Sequence, residues 1–301
     1  MMMPGFYNLD LAAKIRWRMK YDRNPLLTRL QDKLAAKKYA AEMGVPSAEV
    51  LYFTKNPKTI PFDELPEKCF IKANHGCNWN ILKYGGRFFD FKDGDKLVSN
   101  EGCYQLNSPG LTELSIPEVI KNCSNWLETK YRPVEWAYFD IPPAIFVENI
   151  IEPEPGKETF DFRLFTFMGK VTAISLGSPS MRKNNENIFF DTKWNKITLN
   201  NHFEYEPAII HERPAFLNEM IESAGKLGIE VDFMRIDFFA DRQHFYLSEM
   251  TIYPNGGQDD RPTGDKRFNL FLSRQWKMNF YQLLQAHRVE YLNRRNKNTS
   301  N

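Results

Sequence analysis

Cysteine is scarce in this sequence: 4 in 301 residues, with no CxxC pair and no histidine-rich neighbourhood. Cys69, Cys77, Cys103 and Cys123 therefore suggest neither a zinc site nor a disulfide framework, and reduced thiols in a cytoplasmic protein are the expectation. Histidine is equally sparse, and His202, His211, His244 and His287 are scattered in a way that reads as structural or exposed. Neither charge sign dominates: 40 Lys and Arg against 38 Asp and Glu leave a formal net charge of +2, which gives no reason to expect nucleic acid as a partner. No apolar run approaches membrane-spanning length, and the start, MMMPGFYNLDLAAKIRW, has no continuous apolar core of a signal peptide. Repeats and low-complexity linkers are missing too. With 42% hydrophobic and 26% charged residues, the chain reads as an ordinary soluble globular protein. It is long enough for a full core, in one large domain or two interleaved ones.

Helices and strands interleave along the chain. Leu9–Lys20 reads as a short basic helix, Asp22–Thr28 as punctuation with Pro25 ending any helix, and Gln31–Met43 as a helix stopped by Gly44 and Pro46. Val50–Phe53 and Cys69–Ala73 are strand-like, and the second runs into the loop Asn74–Asn80. Ile81–Lys83 leads to a turn at Gly85 and Gly86, and Phe88 to Gly110 is expected to be loops and a small lid. Ile116–Lys130 is an amphipathic helix with Pro117 in its first turn. Ala144–Ile151 is a strand bracketed by prolines. Thr159–Phe167 and Lys170–Leu176 pair around a tight Met168–Gly169 turn. Arg182–Phe190 and Lys193–Leu199 read as peripheral strands, Pro214–Leu227 as a helix ending at Gly228, and Phe268 to about Leu292 as a final helix before a polar tail. Several strands joined as hairpins favour an α+β arrangement with antiparallel sheets over a doubly wound parallel one.

The stretch Val231–Gly257 carries the strongest chemical signal. It predicts two buried strands, Val231–Phe239 and Phe245–Ile252, joined by Ala240–His244. Two carboxylates interrupt the apolar run, Asp237 going out and Glu249 coming back. Because side chains alternate faces, the two share a face when the connecting loop has an odd number of residues. Side-by-side buried carboxylates are costly unless a cation or ordered donors neutralise them, so a divalent-metal site is one reading, with Mg²⁺ favoured by the hard oxygen ligands. The alternative is one acid paired with Arg235 and the other exposed at a strand end.

Other positions are individually weaker. Lys72 ends a strand just before a loop holding His75 and Gly76, a plausible phosphate clamp though not a Walker motif, and equally a surface lysine. Lys33 follows Asp32 at the start of a helix. Glu148 and Asn149 lie in an apolar strand, where a polar pair can line a pocket or mark a strand end facing water. Asp161 and Arg163 share one strand face and can pair with each other. Arg182 opens a polar loop that could bind an anion. Arg235 lies on the same face as Asp237, where a guanidinium would stabilise charge developing in phosphoryl transfer.

Taken in order, the segments DRNPLLTRLQDKLAAKKYA (Asp22–Ala40), CFIKANHGCNWN (Cys69–Asn80), NWLETKY (Asn125–Tyr131), EWAYFDIPPAIFVENII (Glu135–Ile151), FDFRLFTFMGKV (Phe160–Val171) and RIDFFADRQHFYLSEMTIYPNGG (Arg235–Gly257) resemble the ATP-grasp superfamily, most closely its TupA-like branch, named for teichuronopeptide biosynthesis. The resemblance covers nearly the whole chain up to about Trp276. It implies an ATP-grasp fold, two α+β lobes with antiparallel sheets enclosing a nucleotide cleft. The expected division is a helical lead-in over 1–30, the grasp domain over 31–265 (a smaller nucleotide-clamping lobe at about 65–145 and a larger metal-binding lobe at about 146–265) and a C-terminal helix and tail over 266–301.

By position in that family, Lys33, Lys72 and the loop with His75 and Gly76 would meet the phosphates of ATP, and Glu148, Asn149 and Ile150 the adenine. Asp161 would reach the ribose or the substrate side. Asp237, Glu249 and Thr251 would hold Mg²⁺, with Arg235, Arg182 and Arg163 serving the reaction. Similar enzymes activate a carboxylate as an acyl phosphate, which an amine then displaces. The implied function is a carboxylate–amine ligase of cell-surface polysaccharide biosynthesis, with a small or glycan-linked carboxylate and an amine such as an amino acid as substrates, and peripheral association with a membrane glycan-synthesis complex. Kinase-like phosphoryl transfer to a sugar and a non-catalytic role in such a complex are the alternatives. Three departures stand out: Thr251 replaces the Asn that is often the third metal ligand, the phosphate loop is poor in glycine, and there is no full N-terminal α/β domain ahead of the lobes.

Overall fold

The computed structural model describes residues 6–91, 97–100, 103–106, 111–151, 160–177, 188–198, 212–241, 243–258 and 266–277. Three helices open the chain: α1 (Leu11–Tyr21), α2 (Pro25–Gln31) and α3 (Lys33–Glu42). Each is started by a side-chain cap: the Asp10, Asn24 and Asp32 oxygens accept from backbone N–H groups that have no carbonyl partner in the first turn. Pro25 does not end a helix, as expected from sequence, but starts one. Its missing N–H is harmless at the first helical position, and Asn24 caps the turn.

Next come β1 (Val50–Thr54), β2 (Lys68–Ala73), β3 (Asn80–Tyr84), β4 (Arg87–Phe91), β5 (Leu97–Asn100), β6 (Cys103–Leu106) and the short β7 (Glu113–Leu114). They are followed by α4 (Ile116–Glu128), β8 (Ile145–Asn149), β9 (Phe160–Phe167), β10 (Lys170–Gly177) and β11 (Ile188–Phe190). The described chain closes with α5 (Leu217–Gly228), β12 (Met234–Ala240), β13 (Phe245–Thr251) and α6 (Lys266–Gln275).

The strands form a six-stranded sheet in the order β1-β8-β2-β3-β4-β7, a five-stranded sheet in the order β11-β10-β9-β12-β13, and the separate hairpin β5-β6. Every ladder is antiparallel. The described residues of the stretch expected as loops, 88–91, 97–100 and 103–106, are strand: the Gly85–Gly86 turn, with φ of +57° and +75°, folds β4 back on β3. Met168 and Gly169 likewise take positive φ and join β9 to β10. Beyond β11, a turn over 191–195 brings Lys196 back to one isolated bridge with Phe190, and the described residues 193–198 do not form a second peripheral strand. The end of the expected C-terminal helix, beyond residue 277, lies outside the described residues.

Two hydrophobic cores result. The smaller packs Ile71, Ile81, Ile145 and Val147 of the six-stranded sheet against Val119 and Cys123 of α4. The larger covers both faces of the five-stranded sheet, with α5 against Thr166 and Ile236 and α6 against Phe189 on the opposite face, and it takes in residues of α1 to α3, so residues before position 31 help to build it. Strand β8 belongs to the six-stranded sheet, so Glu148 and Asn149 sit with the smaller core, not with the part of the chain that follows them.

The ends of the described chain meet at the root of β12. Arg18 of α1, fully buried, donates to the carbonyls of Phe233 and Ile252 and to the Asp232 carboxylate. The Trp276 indole N–H donates to the same carboxylate at 2.7 Å. Lys14, one turn earlier, donates to the carbonyls of Ser273 and Trp276.

Candidate functional site

Strand β12 alternates strictly, with Met234, Ile236, Phe238 and Ala240 buried in the larger core and Arg235, Asp237 and Phe239 on the other face. Asp237 lies directly opposite Glu249, and Arg235 opposite Thr251. The carboxylates therefore share a face, but not through the loop parity the sequence suggested. The loop is four residues, 241–244, and a regular ladder closed by it would set Asp237 against Ser248 and turn Glu249 into the core. A β-bulge at Ser248 absorbs one residue, since Phe238 pairs with Leu247 and Asp237 with Glu249. Ser248 is exposed, while Leu247 and Met250 on either side keep their places in the core. On the neighbouring strand β9, Arg163 stands opposite Asp237 and Asp161 opposite Phe239, so both lie on this same face. They form an ion pair at 3.8 Å.

Arg235 grips Asp237 with two hydrogen bonds, Nε to Oδ1 at 2.7 Å and Nη2 to Oδ2 at 2.6 Å. That matches half of the metal-free alternative: one acid is paired with Arg235. The other half is not met, because Glu249 is only 28% exposed and has Lys33 Nζ 3.9 Å from its Oε1. The Thr251 hydroxyl on the same face is buried without a hydrogen-bond partner. Two adjoining carboxylates and an orphaned hydroxyl form a hard-oxygen donor set, and it fits a small divalent cation such as Mg²⁺. Among the described residues no three His, Cys, Asp or Glu side chains converge, so any such ion would keep ligands from outside the chain, as Mg²⁺ commonly does.

The lysines come from two other elements. Asp32 caps α3 and also accepts from the Asn74 side-chain amide at 2.9 Å, while Lys33 N donates to the Asn74 carbonyl. These bonds tie the start of α3 to the Asn74–Asn80 loop. Lys33 then reaches the Gly76 carbonyl as well as Glu249. Gly76 has no room for a side chain, because a Cβ would collide with the Trp79 ring. His75 is buried, its Nε2–H directed to the Trp126 carbonyl at 2.9 Å. Burial lowers its pKa, so the ring is neutral near pH 7 and shores up the loop from inside.

Lys72 at the end of β2 pairs with Glu148 of β8, and Lys37 of α3 holds the other oxygen of that carboxylate at 2.8 Å. Burial alone would raise the Glu148 pKa, but the two ammonium groups outweigh it and hold the carboxyl below its ordinary range. Burial lowers the pKa of Lys37 in turn, with Glu148 working against that shift. Asn149 donates to Glu49 at an exposed position, and Ile150 follows the end of β8. Arg182 lies outside the described residues.

Sequence reasoning singled out Lys33 and passed over Lys37. The signal was present, because residues four apart share a helix face and Lys33, Lys37, Ser248 and Glu249 line one small cavity. It also passed over Gln31, whose amide donates to the Tyr138 hydroxyl at 2.7 Å and whose carbonyl oxygen faces Ile252 N. A glutamine before a helix cap carries no such mark in sequence.

The model of the TupA-like ATPgrasp family matches residues 13–276. Similar solved structures include a D-alanine–D-alanine ligase from Bacillus anthracis complexed with ATP, at 15% identity and TM-score 0.44, over 87% of this chain and 68% of that one. The corresponding ligase from Helicobacter pylori is 15% identical with TM-score 0.45, over 83% of this chain and 61% of that one. A Chryseobacterium gregarium RiPP-associated ATP-grasp ligase, in complex with ADP and a leader and core peptide, is 12% identical with TM-score 0.39, over 82% and 60%. The chain thus spans about three-fifths to two-thirds of those ligases, and likenesses this distant carry no argument about what it does. No curated protein matches it. The family match extends over most of the sequence and includes both sheets and the paired carboxylates. The chain belongs to the TupA-like ATP-grasp family.

Proposed function

We propose that this protein is an ATP- and Mg²⁺-dependent ligase that joins a carboxylate to an amine through an acyl phosphate, in the biosynthesis of a cell-surface polysaccharide. The observation that supports it most is the cross-strand pair Asp237–Glu249, beside an orphaned Thr251 hydroxyl and within reach of Lys33. Asp237, Glu249 and Thr251 would hold the ion. When bound, Mg²⁺ neutralises phosphate charge and so favours transfer to a carboxylate oxygen. Lys33 and Lys72 supply the positive charge for the polyphosphate, and the Asn74–Asn80 loop, pinned to α3, shields it from water. Glu148 orients the Lys72 and Lys37 ammonium groups, one on each carboxylate oxygen. Arg235, fixed on Asp237, and Arg163 beside it stand where the carboxylate to be activated would bring negative charge. Both oxygens of the acyl phosphate's acyl group derive from the substrate, ADP leaves, and the amine then expels phosphate.

The test is an ADP-release assay on a panel of amino acids and uronic acids with mass detection of product. An amide together with ADP and phosphate supports the ligase, and its loss in Lys72→Ala ties the activity to this site. A phosphorylated sugar without an amide would replace the reading with a kinase. No binding of Mg²⁺–ATP would leave a non-catalytic role.

A further inference from the structure

The ligase reading leaves one buried carboxylate without a task. Glu135 is 5% exposed, at the start of a short 3-10 turn over Trp136–Tyr138. Among the described residues its single side-chain partner is Arg132, with Nη1 3.5 Å from Oε1, and the Arg132 side chain is itself 52% exposed. Among the described residues nothing donates to Oε2. A carboxylate placed that deep against one loose, solvent-facing guanidinium is poorly compensated. Burial, opposed by Arg132 and reinforced by the charge of Glu249, pushes its pKa up to about 6.

Its location follows from the helices beneath the site. Going back along α3, Lys37 meets Glu148, and one turn earlier Lys33 meets Glu249. Just before the cap, Gln31 meets Tyr138, whose N–H donates to the Glu135 carbonyl. The order is thus Glu148, then Glu249, then Glu135. If the nucleotide base lies towards Glu148 and the metal-bound phosphates at Asp237 and Glu249, Glu135 stands at the acceptor end. The loop that follows β13 makes room for it. Gly256 has φ of +60°, and a Cβ there would come 3.1 Å from Arg132 Nη1 and 3.4 Å from Glu135 Oε1. Tyr131 and Tyr138, with ring centroids 4.6 Å apart, are both close enough to feel the Glu135 charge.

We propose that Glu135 and Arg132 bind the acceptor amine, and that this acceptor is an amino acid: Glu135 takes its ammonium group and Arg132 its carboxylate. The proposal rests on the ligase reading and names the substrate class at the far end of the same site. An ammonium is a better partner for Glu135 than the distant guanidinium, since it is small and can donate to both oxygens. Arg132, released from Glu135, is exposed enough to turn to the other end of a zwitterion.

The probe is the set of twenty amino acids, each added to the full chain saturated with Mg²⁺ and a non-hydrolysable ATP analogue, with melting temperature as the readout. At least one amino acid should raise the melting temperature of the wild type by several degrees. Glu135→Gln should lose that shift while keeping the shift due to the nucleotide. Glu135→Asp should show a smaller shift, which keeps the test informative where the Gln variant folds badly. Arg132→Ala should cease to distinguish the effective amino acid from its decarboxylated amine. A wild type that responds to none of the twenty, or a Glu135→Gln response equal to wild type, overturns the proposal. A wild type that shows no shift with the nucleotide itself strikes down the ligase reading, and this inference with it.

Discussion

Deleting Ser248 should be close to harmless, although removing one residue from a strand ordinarily turns the remainder over. Ser248 is the extra residue of the bulge, so without it Phe238 still meets Leu247 and Asp237 still meets Glu249 in a regular ladder. No buried side chain changes face, and the expected cost is below about 1 kcal/mol. Deleting Tyr246, a half-buried residue two positions earlier, is the matched control. It drags Phe245 out of the core, where that ring is 5% exposed and packs on Phe216 and Phe238 at centroid distances of 5.8 and 5.4 Å. Exposing one Phe costs about 1.5–3 kcal/mol and each of the two lost ring pairs about 0.5–1.5 kcal/mol, so roughly 2.5–6 kcal/mol in all. Urea unfolding of the two deletions measures the difference, and Mg²⁺–ATP titration reports whether the carboxylates stay together. Equal destabilisation by the two deletions would refute the bulge as the device that sets the register.

Three further outcomes are expected. Glu148→Ala leaves Lys37 and Lys72 half-buried together without their carboxylate, and chemical unfolding should show a loss of about 2–4 kcal/mol. Because the Glu148 pKa is lowered on folding, the stability it confers is present above pH 4.5 and lost as pH falls through the lower folded value. Glu148→Gln should therefore flatten the acid limb of the stability profile. Glu135 has the opposite sign: its pKa is raised from 4.5 to about 6, the folded state holds the extra proton between these values, and stability falls as pH rises across that window. Glu135→Gln should remove that slope and add up to about 2 kcal/mol at pH 7, measured by urea unfolding at pH 4.5, 6 and 7. Gly76→Ala should push Trp79 off Trp126, Tyr131 and the smaller core, and so both weaken Mg²⁺–ATP binding in a calorimetric titration and lower the unfolding midpoint.

What sequence could and could not reveal follows from the range of each effect. Alternation within β12 and β9 is local, so the shared face of Asp161 with Arg163, and that of Arg235 with Asp237, was legible from spacing alone, whereas bringing the two pairs to one face takes the β9–β12 register. Whether Glu249 joined that face depended on the sum of loop length and bulge, and a bulge at a serine among ordinary strand residues leaves no mark. Pro25 was misjudged because proline both ends and begins helices, and only the Asn24 cap decides which. The β4 strand was missed because RFFDF is short and follows a Gly-Gly turn into a polar stretch. The pairing of Lys37 with Glu148 joins residues 111 positions apart, and that of Gln31 with Tyr138 spans 107. Contacts that distant appear only once both sheets are folded.

The clasp at Asp232 has a practical meaning for anyone trimming this protein. Arg18 and Trp276 satisfy one carboxylate from opposite ends of the described sequence, and Arg18 also holds the carbonyls at the base of both strands of the hairpin. A fragment cut to residues 31–265 would strand an acid in an apolar interior and leave those carbonyls bare. Helix α1 works as a rivet for the hairpin's foot.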